Sequence, residues 1–371
     1  MPDTIRLRSA SASTNLIPFM SNQTRAFLLG PLLKGVSRSF YLTLRVLPAG
    51  MRDPVGLAYL LARAADTIAD TSLIPPGQRL ALLLALRGEV NGTSRDAALT
   101  QRLAGEVAGQ QAQSDEKVLL ESIGPALEVL TQLSEADRRA VRDIVTTLTQ
   151  GMEFDLRTFP DERSGQLAAL REFAELDRYT YLVAGCVGEF WTRMTDAHAP
   201  GALKADLGAM LERGVRFGKA LQMVNVLRDC GKDLRIGRCY LPSAMLERFG
   251  LSAQDLMQPD ASLRARPLMF ELVRTALDHF RAALDYMLAL SACSVRLRLA
   301  CLWPIVIGLE TLLLLVQNEH WLDPSKVSKV KRSDVYRILA RSLPAVPSNA
   351  LLRSWVERLT RQIEARLSAA T

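Results

Sequence analysis

Two pairs of aspartates, each at the end of an apolar, helix-like run, constrain the fold of this chain more than any other feature. Asp66 and Asp70 follow turns that are nearly all apolar, and Asp229 and Asp233 repeat the same spacing after another apolar run. Residues four apart share one face of a helix, about 6 Å from each other, where like charges repel. Because carboxylates beside apolar helices are costly unless they are compensated, each pair is expected to meet a polar cavity or a cation.

A hard divalent cation bound by both carboxylates of a pair would remove this repulsion. Magnesium keeps several waters and can take its remaining ligands from phosphate oxygens. A single D-x-x-x-D pair is common on a solvated helix face, whereas two pairs facing one cavity could hold two diphosphates through shared magnesium ions. The sequence therefore predicts a magnesium site at Asp66, Asp70, Asp229 and Asp233.

Four arginines are candidate ligands for the phosphate oxygens. Two of them lie next to the aspartate pairs and two belong to short polar segments elsewhere: Arg63, Arg228, Arg38 and Arg238. A guanidinium group matches phosphate oxygens with bidentate hydrogen bonds. Taken singly, each arginine is equally compatible with a surface salt bridge.

The composition favours helices over sheets. The 371 residues are 49% hydrophobic and only 6% aromatic, and leucine, alanine and arginine are frequent throughout. No run of alternating β-branched residues is present. We therefore predict an all-α fold with one helical domain at residues 29–345, a flexible N-terminal tail at 1–28 and an amphipathic C-terminal helix at 346–371, packed on the domain or extending it.

Local signals predict where several elements begin and end. Asp53 followed by Pro54 is typical of a helix N-terminus. The polar stretch 105–117 is predicted to be a loop, and residues 202–233 are predicted to form one long helix.

The apolar segment 299–316 approaches the length of a membrane span. Pro304 and Glu310 lie in its middle, which favours a buried helix. The C-terminal amphipathic helix is compatible with weak peripheral contact with a membrane, but its alternating charges do not predict an anchor.

The net charge and the cysteines indicate which kind of partner the chain binds and in which cellular compartment it lies. The net charge of +7 favours an anionic partner, but the basic residues form no recognition motif for nucleic acid, so we predict no nucleic-acid role. The odd number of cysteines and the lack of a C-x-x-C pair favour reduced thiols and a cytoplasmic location, with peripheral membrane contact as the alternative. The sequence gives no indication of the oligomeric state.

Several segments together resemble the squalene and phytoene synthase family. They occur in the expected order across about residues 30 to 340 and comprise Ser37–Phe40, Tyr59–Asp70, Gly151–Phe154, Asp177–Tyr179, Val183–Gly188, Gln222–Asp233 and Gly237–Pro242. Within the family, the Arg63 to Thr67 spacing and the Tyr179 segment are most similar to squalene synthases.

The resemblance implies a fold and a set of roles. The fold is an isoprenoid-synthase helical bundle around a central cavity, in which the four aspartates bind magnesium and diphosphate. Arg63, Arg228 and Arg238 hold phosphate oxygens, and Gln222 and Asn225 complete the polar rim. Tyr59 and Tyr179 lie beside the reacting carbons, and Tyr179 manages a proton in the first step. From its apolar neighbours alone, a tyrosine such as Tyr179 is more often a core residue with a satisfied hydroxyl.

The activity implied by the resemblance is the head-to-head joining of two farnesyl diphosphates through presqualene diphosphate to squalene, with reduction by NADPH. A basic segment that resembles a loop over the NADPH site contains Lys329, Lys331 and Arg332, although it is equally compatible with a solvated charge run. No G-x-G-x-x-G motif follows a strand, so NADPH is not expected to bind through a Rossmann unit.

Two departures from the family pattern leave alternatives open. Lys232 stands where the family often has an acidic residue, and residues 294–299 lack the phenylalanines frequent in squalene synthases. A phytoene or dehydrosqualene synthase without the reductive step is therefore the main alternative, and a non-catalytic helical protein that binds prenyl lipids is a further one.

Overall fold

Helices form most of the chain that the computed structural model describes, namely residues 16–37, 41–94, 96 and 98–369. The α-helices are α1 (Leu16–Phe27), α2 (Leu33–Ser37), α3 (Tyr41–Arg45), α4 (Ala49–Asp70), α5 (Pro76–Asn91), α6 (Leu99–Arg102), α7 (Ser114–Glu121), α8 (Ile123–Gln132), α9 (Glu135–Thr158), α10 (Phe173–Thr180), α11 (Cys186–His198), α12 (Leu207–Arg235), α13 (Ser243–Glu247), α14 (Ala261–Arg264), α15 (Arg266–Leu288), α16 (Val295–Gln317), α17 (Arg332–Ala345) and α18 (Asn349–Ala369). The all-α prediction is confirmed.

The remaining regular structure is short. Two-residue strands β1 (Ala168–Ala169) and β2 (Arg238–Cys239) pair in parallel, with Ala168 opposite Arg238. Turns of π-helix occupy Leu28–Leu32, Leu103–Val107 and Tyr181–Gly185, and turns of 3₁₀-helix occupy Ala108–Gln110 and Gln254–Met257. The small sheet matters because it fixes the backbone of Arg238 beside the segment that follows α9.

Two long helices, α4 and α12, organise the core. Helix α4 packs against α5, α8 and α9, while α12 packs against α11, α15 and α16. Apolar side chains such as Leu57, Leu61 and Leu227 are fully buried along them. The aspartate pairs lie in the C-terminal turns of both helices. Packing of the two helices in one core therefore places the four carboxylates in the same region of the molecule.

Small residues let α12 cross closely over the π-helical turn Tyr181–Gly185 and the first turn of α11. A Cβ atom added to Gly218 would lie 2.1 Å from the carbonyl oxygen of Ala184, and one added to Gly188 would lie 1.8 Å from the carbonyl oxygen of Gly214. Only hydrogen atoms fit at this crossing, because helical backbone on either side cannot move without disrupting its own hydrogen bonds.

Helix α4 begins earlier than the sequence predicts. It starts at Ala49 after Pro48, and Pro54 lies inside it. The predicted capping role of Asp53 is wrong, because its carboxylate accepts hydrogen bonds from Arg25 instead. Met51 is fully buried, so apolar packing extends the helix through the proline.

The predicted loop at 105–117 is also wrong for most of its length. Helical turns cover Leu103–Gln110 and α7 begins at Ser114, so only residues 111–113 lie between them. Val107 and Ala108 are buried, and the side chain of Gln111 donates hydrogen bonds to Thr71 Oγ1 at 2.9 Å and to the Val107 carbonyl. Tertiary packing therefore outweighs the polar composition of this stretch.

The remaining helix boundaries lie within a few residues of those predicted from the sequence. Helix α12 begins at Leu207 rather than 202, because the Asp206 carboxylate accepts a hydrogen bond from the Ala209 amide at 3.2 Å and caps the helix. At the N-terminus, residues 16–27 of the predicted tail form α1. At the C-terminus, the amphipathic α18 packs against α15 and α16 through buried residues that include Leu352 and Ile363.

Helix α16 is the only described helix long and apolar enough to cross a membrane. In the fold, 67% of its apolar window is buried, against α12, α15, α17 and α18. At its start, the fully buried Arg298 donates hydrogen bonds to the Val346 carbonyl, at 2.8 Å, and to Asn349. Helix α16 is therefore buried in the fold to the extent that the sequence predicts for a core helix.

The close crossing predicts a specific sensitivity. Gly218→Ala is expected to lower the free energy of unfolding by about 1–3 kcal/mol, because the added methyl group overpacks the crossing. Gly77→Ala in α5, where nothing lies within 4 Å of the new atom, is the matched control and is expected to change stability by about 0.5 kcal/mol or less. Urea unfolding followed by circular dichroism measures both, and equal effects would contradict the close packing.

Candidate active site

A cavity of about 210 Å³ lies between α4, α9, α10 and α12. Its polar lining consists of Asp66, Asp70, Asp155, Gln222 and Arg238, and its apolar lining includes Leu148, Met152, Leu156 and Val183. Tyr179 stands between the two kinds of surface. The cavity therefore has a charged rim that leads to an apolar wall, as a long apolar molecule with an anionic head requires.

The first aspartate pair lies on this rim. Burial and the charge of Asp70 raise the pKa of Asp66 to about 6, although Arg63 opposes the shift. Burial also raises the pKa of Asp70, although Arg238, Arg63 and Arg79 oppose it. The two carboxylates are thus held together at a cost, which agrees with the repulsion expected from their spacing on one helix face.

The second pair faces the first from α12 but opens into a neighbouring cleft. Burial and the charge of Asp229 raise the pKa of Asp233 to about 7, and Asp155 and Asp70 contribute to the shift. Asp233 therefore lies within electrostatic reach of the first cavity. Its own cleft, of about 400 Å³, is lined by Arg228, Asp229, Lys232, Asp233, Val327 and Lys329.

The four aspartates form two pairs rather than one cluster. Within the described parts of the chain, no three His, Cys, Asp or Glu side chains converge as a metal-binding group. Each pair nevertheless fits magnesium, because this ion needs only one or two carboxylates when phosphate oxygens and water complete its shell. Burial and, after it, a neighbouring carboxylate raise the pKa values of Asp66 and Asp233, and a bound cation would favour the charged form of both.

The described candidate arginines are all paired with carboxylates. Arg63 donates hydrogen bonds to Asp66 and Glu116. The Nε atom of Arg228 lies 3.0 Å from Asp229 Oδ1. Arg238 is treated below, and Arg38 lies outside the described residues.

Arg238 is held in place by a partly buried carboxylate that was not predicted from the sequence. Glu162 accepts a hydrogen bond from Arg238 at 2.7 Å and two from Arg79, at 2.9 and 2.6 Å. Arg79 is itself almost fully buried and also donates to the Ala69 carbonyl at 2.7 Å, directly before Asp70. One glutamate therefore connects the end of α4 to β2. The sequence carries no signal for it, because the partners lie 83 and 76 positions away.

Tyr179 belongs to a second polar group in the cavity. Its hydroxyl donates to Asp155 Oδ2 at 3.3 Å, and the hydroxyl of Tyr240 donates to the same oxygen at 2.8 Å. The two tyrosine rings stack with centroids 4.6 Å apart. Asp155 and Tyr240 were not predicted, although Asp155 directly follows the Gly151–Phe154 segment and Tyr240 lies within Gly237–Pro242.

The other predicted residues are divided between the cavity and its surroundings. Gln222 lines the cavity, and Asn225 donates a hydrogen bond to Gln222 Oε1 at 3.2 Å. Tyr59 is not part of the cavity lining, and its hydroxyl lies 3.5 Å from the Val36 carbonyl.

The basic segment is only partly associated with the site. Lys329 lines the cleft of Asp229 and Asp233. Lys331 and Arg332, at the start of α17, are exposed and line neither the cavity nor this cleft.

An irregularity in the backbone accompanies the cavity. The chain forms a π-helical turn at Tyr181–Gly185, directly after Tyr179, and Val183 of this turn lines the cavity. Single π-turns inside helices frequently occur at functional sites. Here the turn redirects the chain between α10 and α11.

Solved structures share this architecture. A structure of TcSQS with the ligand BPH1237 matches with a TM-score of 0.74 and 22% identity, over 94% of this chain and 97% of that chain. A dehydrosqualene synthase in complex with ligand matches with a TM-score of 0.60 and 20% identity, over 87% of this chain and 96% of that chain. The fold is that of an all-α isoprenoid synthase.

Sequence relatives narrow the class. The family model described as squalene/phytoene synthase matches residues 33–334. A presqualene diphosphate synthase of Rhodopseudomonas palustris is 32% identical over 66% of this chain and 72% of its own length. A squalene synthase of Schizosaccharomyces pombe is 25% identical over 84% of this chain, which spans 64% of that relative's length. The chain belongs to the squalene/phytoene synthase family, as its motifs predict.

The Glu162 network yields a prediction about stability and pH. Although burial raises the pKa of Glu162, hydrogen bonds from Arg79 and the charges of both arginines hold it below the usual value. The network therefore stabilises the fold at neutral pH and loses this effect as the pH falls through the lowered pKa. Glu162→Gln is expected to lower the free energy of unfolding by about 3 kcal/mol at pH 7, because it leaves two arginines unpaired.

The matched control is Glu135→Gln, at an exposed pair with Arg138, which is expected to change stability little. Urea titrations at pH 7 and pH 4 measure both variants. The difference between Glu162→Gln and the wild-type chain should shrink at the lower pH, and a difference that grows there would contradict the sign derived above.

Proposed function

We propose that this chain joins two farnesyl diphosphates head to head through presqualene diphosphate and reduces the product to squalene with NADPH. The observation that carries this proposal is the cavity in which Asp66, Asp70 and Arg238 form a charged rim beside the apolar wall of α9. The chain's membership of a family whose substrates are prenyl diphosphates supports it.

The charged residues are proposed to bind the diphosphate and favour its departure. Arg63, Arg228 and Arg238 hold phosphate oxygens by bidentate hydrogen bonds once substrate competes with their present carboxylate partners. Magnesium, when bound at the aspartate pairs, supplies positive charge that offsets the charge of the leaving diphosphate. Most of the rate enhancement is then electrostatic.

The apolar wall is proposed to orient the chains and exclude water. Leu148, Met152, Leu156 and Val183 provide the surface along which a prenyl chain lies. An allylic cation must be shielded from water until the second chain attacks it. Tyr179 stands beside this wall with its hydroxyl directed to Asp155, in a position suited to proton transfer.

A second candidate is the first half-reaction alone, without reduction. The position of the basic segment favours it, since only Lys329 of the three predicted NADPH ligands lines a cleft of the site. The similarity to a presqualene diphosphate synthase also supports this reading. Presqualene diphosphate would then be the product, and a second loss of diphosphate that ends in proton loss instead of hydride transfer would give dehydrosqualene, or phytoene from C20 diphosphates.

Product analysis separates these candidates. Incubation with farnesyl diphosphate and magnesium is expected to give a C30 product, and addition of NADPH is expected to convert it to squalene. An unchanged C30 product with NADPH would favour the second candidate, and preference for geranylgeranyl diphosphate would favour a phytoene synthase. The absence of any condensed product from either substrate would refute the proposal.

The aspartate pairs provide a second test. Asp70→Asn and Asp233→Asn are each expected to reduce product formation by about 100-fold or more. Both variants should be at least as stable as the wild-type chain, because burial disfavours the charged carboxylate at each position. Asp143→Asn on the exposed face of α9 is the control. A variant at Asp70 or Asp233 with the wild-type rate would contradict the proposed metal site.

A further inference from the structure

Tyr179 cannot act alone as the base of the condensation. Burial, the charge of Asp155 and the neighbouring Tyr240 raise the pKa of Tyr179 well above its usual value of 10.0. Its hydroxyl is therefore protonated at neutral pH, and a neutral phenol is a poor proton acceptor. It can take a proton from substrate only if its own proton moves to another group at the same time.

Asp155 is the group that the geometry provides. It lies on α9, lines the cavity, and its Oδ2 atom accepts the hydrogen bonds of Tyr179 at 3.3 Å and Tyr240 at 2.8 Å. Its Oδ1 atom is buried and has no hydrogen-bond partner. The stacked rings hold both hydroxyls on one oxygen, so Tyr179 and Asp155 form a hydrogen-bonded pair in the cavity lining, and Tyr240 positions the carboxylate.

The charges around Asp155 suit it to accept a proton near neutral pH. Burial raises its pKa to about 7, and Asp70 on α4 adds to this. Arg238 on β2 and the hydrogen bonds of Tyr240 and Tyr179 oppose the shift, and Asp233 on α12 lies close enough to be affected by Asp155. A base works best when its pKa lies near the working pH.

We propose that Asp155 is the final acceptor of the proton lost when the cyclopropane ring closes, with Tyr179 as the relay. This inference rests on the proposed function. One C–H bond of the condensing chain breaks and its electron pair forms the ring bond. The proton passes to the Tyr179 oxygen while the original Tyr179 proton moves to Asp155 Oδ2. Tyr179 is unchanged, the carboxylate becomes neutral, and the positive charge of the substrate is removed without an oxidant or reductant.

Asp155→Asn tests the relay, because it keeps the shape of the side chain but removes the acceptor. The rate of C30 product formation is expected to fall by about 100-fold or more, with KM for farnesyl diphosphate within about twofold of wild type. Diphosphate release should persist, and water should capture the cation as a C15 alcohol. Asp155→Glu is expected to recover part of the condensation, whereas Asp143→Asn on the same helix should behave as wild type.

Tyr240→Phe tests the role of Asp155 through the pH dependence of the reaction. It removes a hydrogen bond that lowers the pKa of Asp155, so the acid limb of the pH–rate profile, measured at saturating magnesium, should move to higher pH while the limiting rate at high pH is retained. Infrared titration of the substrate-free protein should show carbonyl bands of protonated carboxyl groups near pH 7, to which Asp233 also contributes, and Asp155→Asn should lose the part of this signal that Asp233→Asn retains.

The outcomes separate this relay from the proposed function. If the wild-type chain gives no condensed product from C15 or C20 diphosphates, the proposed function fails. If it condenses them but Asp155→Asn keeps the wild-type rate and products, or Tyr240→Phe leaves the acid limb unmoved, only the relay is overturned. A loss of activity in Asp155→Asn with equal loss of diphosphate release would assign Asp155 a purely structural role and also overturn it.

Discussion

The carboxylate of Glu162 is the contact on which the geometry of the candidate site depends. Through Arg79 it is linked to the Ala69 carbonyl at the end of α4, and through Arg238 it is linked to β2. Both arginines are largely removed from water, so the ion pairs are screened far less than pairs at the surface. The network therefore fixes the first aspartate pair relative to the arginine that follows the second.

Around this network the fold buries carboxylates whose charged form it stabilises only in part. Asp66, Asp155 and Asp233 all have pKa values raised to about 6 or 7, with burial as the largest cause. An arrangement of this kind lowers the stability of the empty protein, and it is typical of sites that bind cations or transfer protons. The close crossing at Gly218 and the buried core of α4 and α12 provide the rigidity that keeps these carboxylates together.

Part of this arrangement could be predicted from sequence, because it depends on local spacing. The i, i+4 aspartates, the apolar turns before them and the family segments led to the all-α fold and the family, both of which are confirmed. Boundaries were predicted less well where tertiary packing overrode local signals, as with Pro54 inside α4 and the helical turns of residues 105–110. Glu162 and the pairing of Asp155 with Tyr240 depend on distant parts of the chain, which a single sequence does not relate.

The sequence by itself thus determined the helices, the faces that carry the aspartates and the family to which the chain belongs, because these follow from periodicity and short motifs. Only the tertiary structure decided that the aspartate pairs occupy two clefts, that Tyr59 is not among the residues that line the cavity, and that Tyr179 is hydrogen-bonded to Asp155. The physical reason is that burial sets these properties. The solvation of a carboxylate and the partner of a hydroxyl are fixed only when helices far apart in the chain pack together.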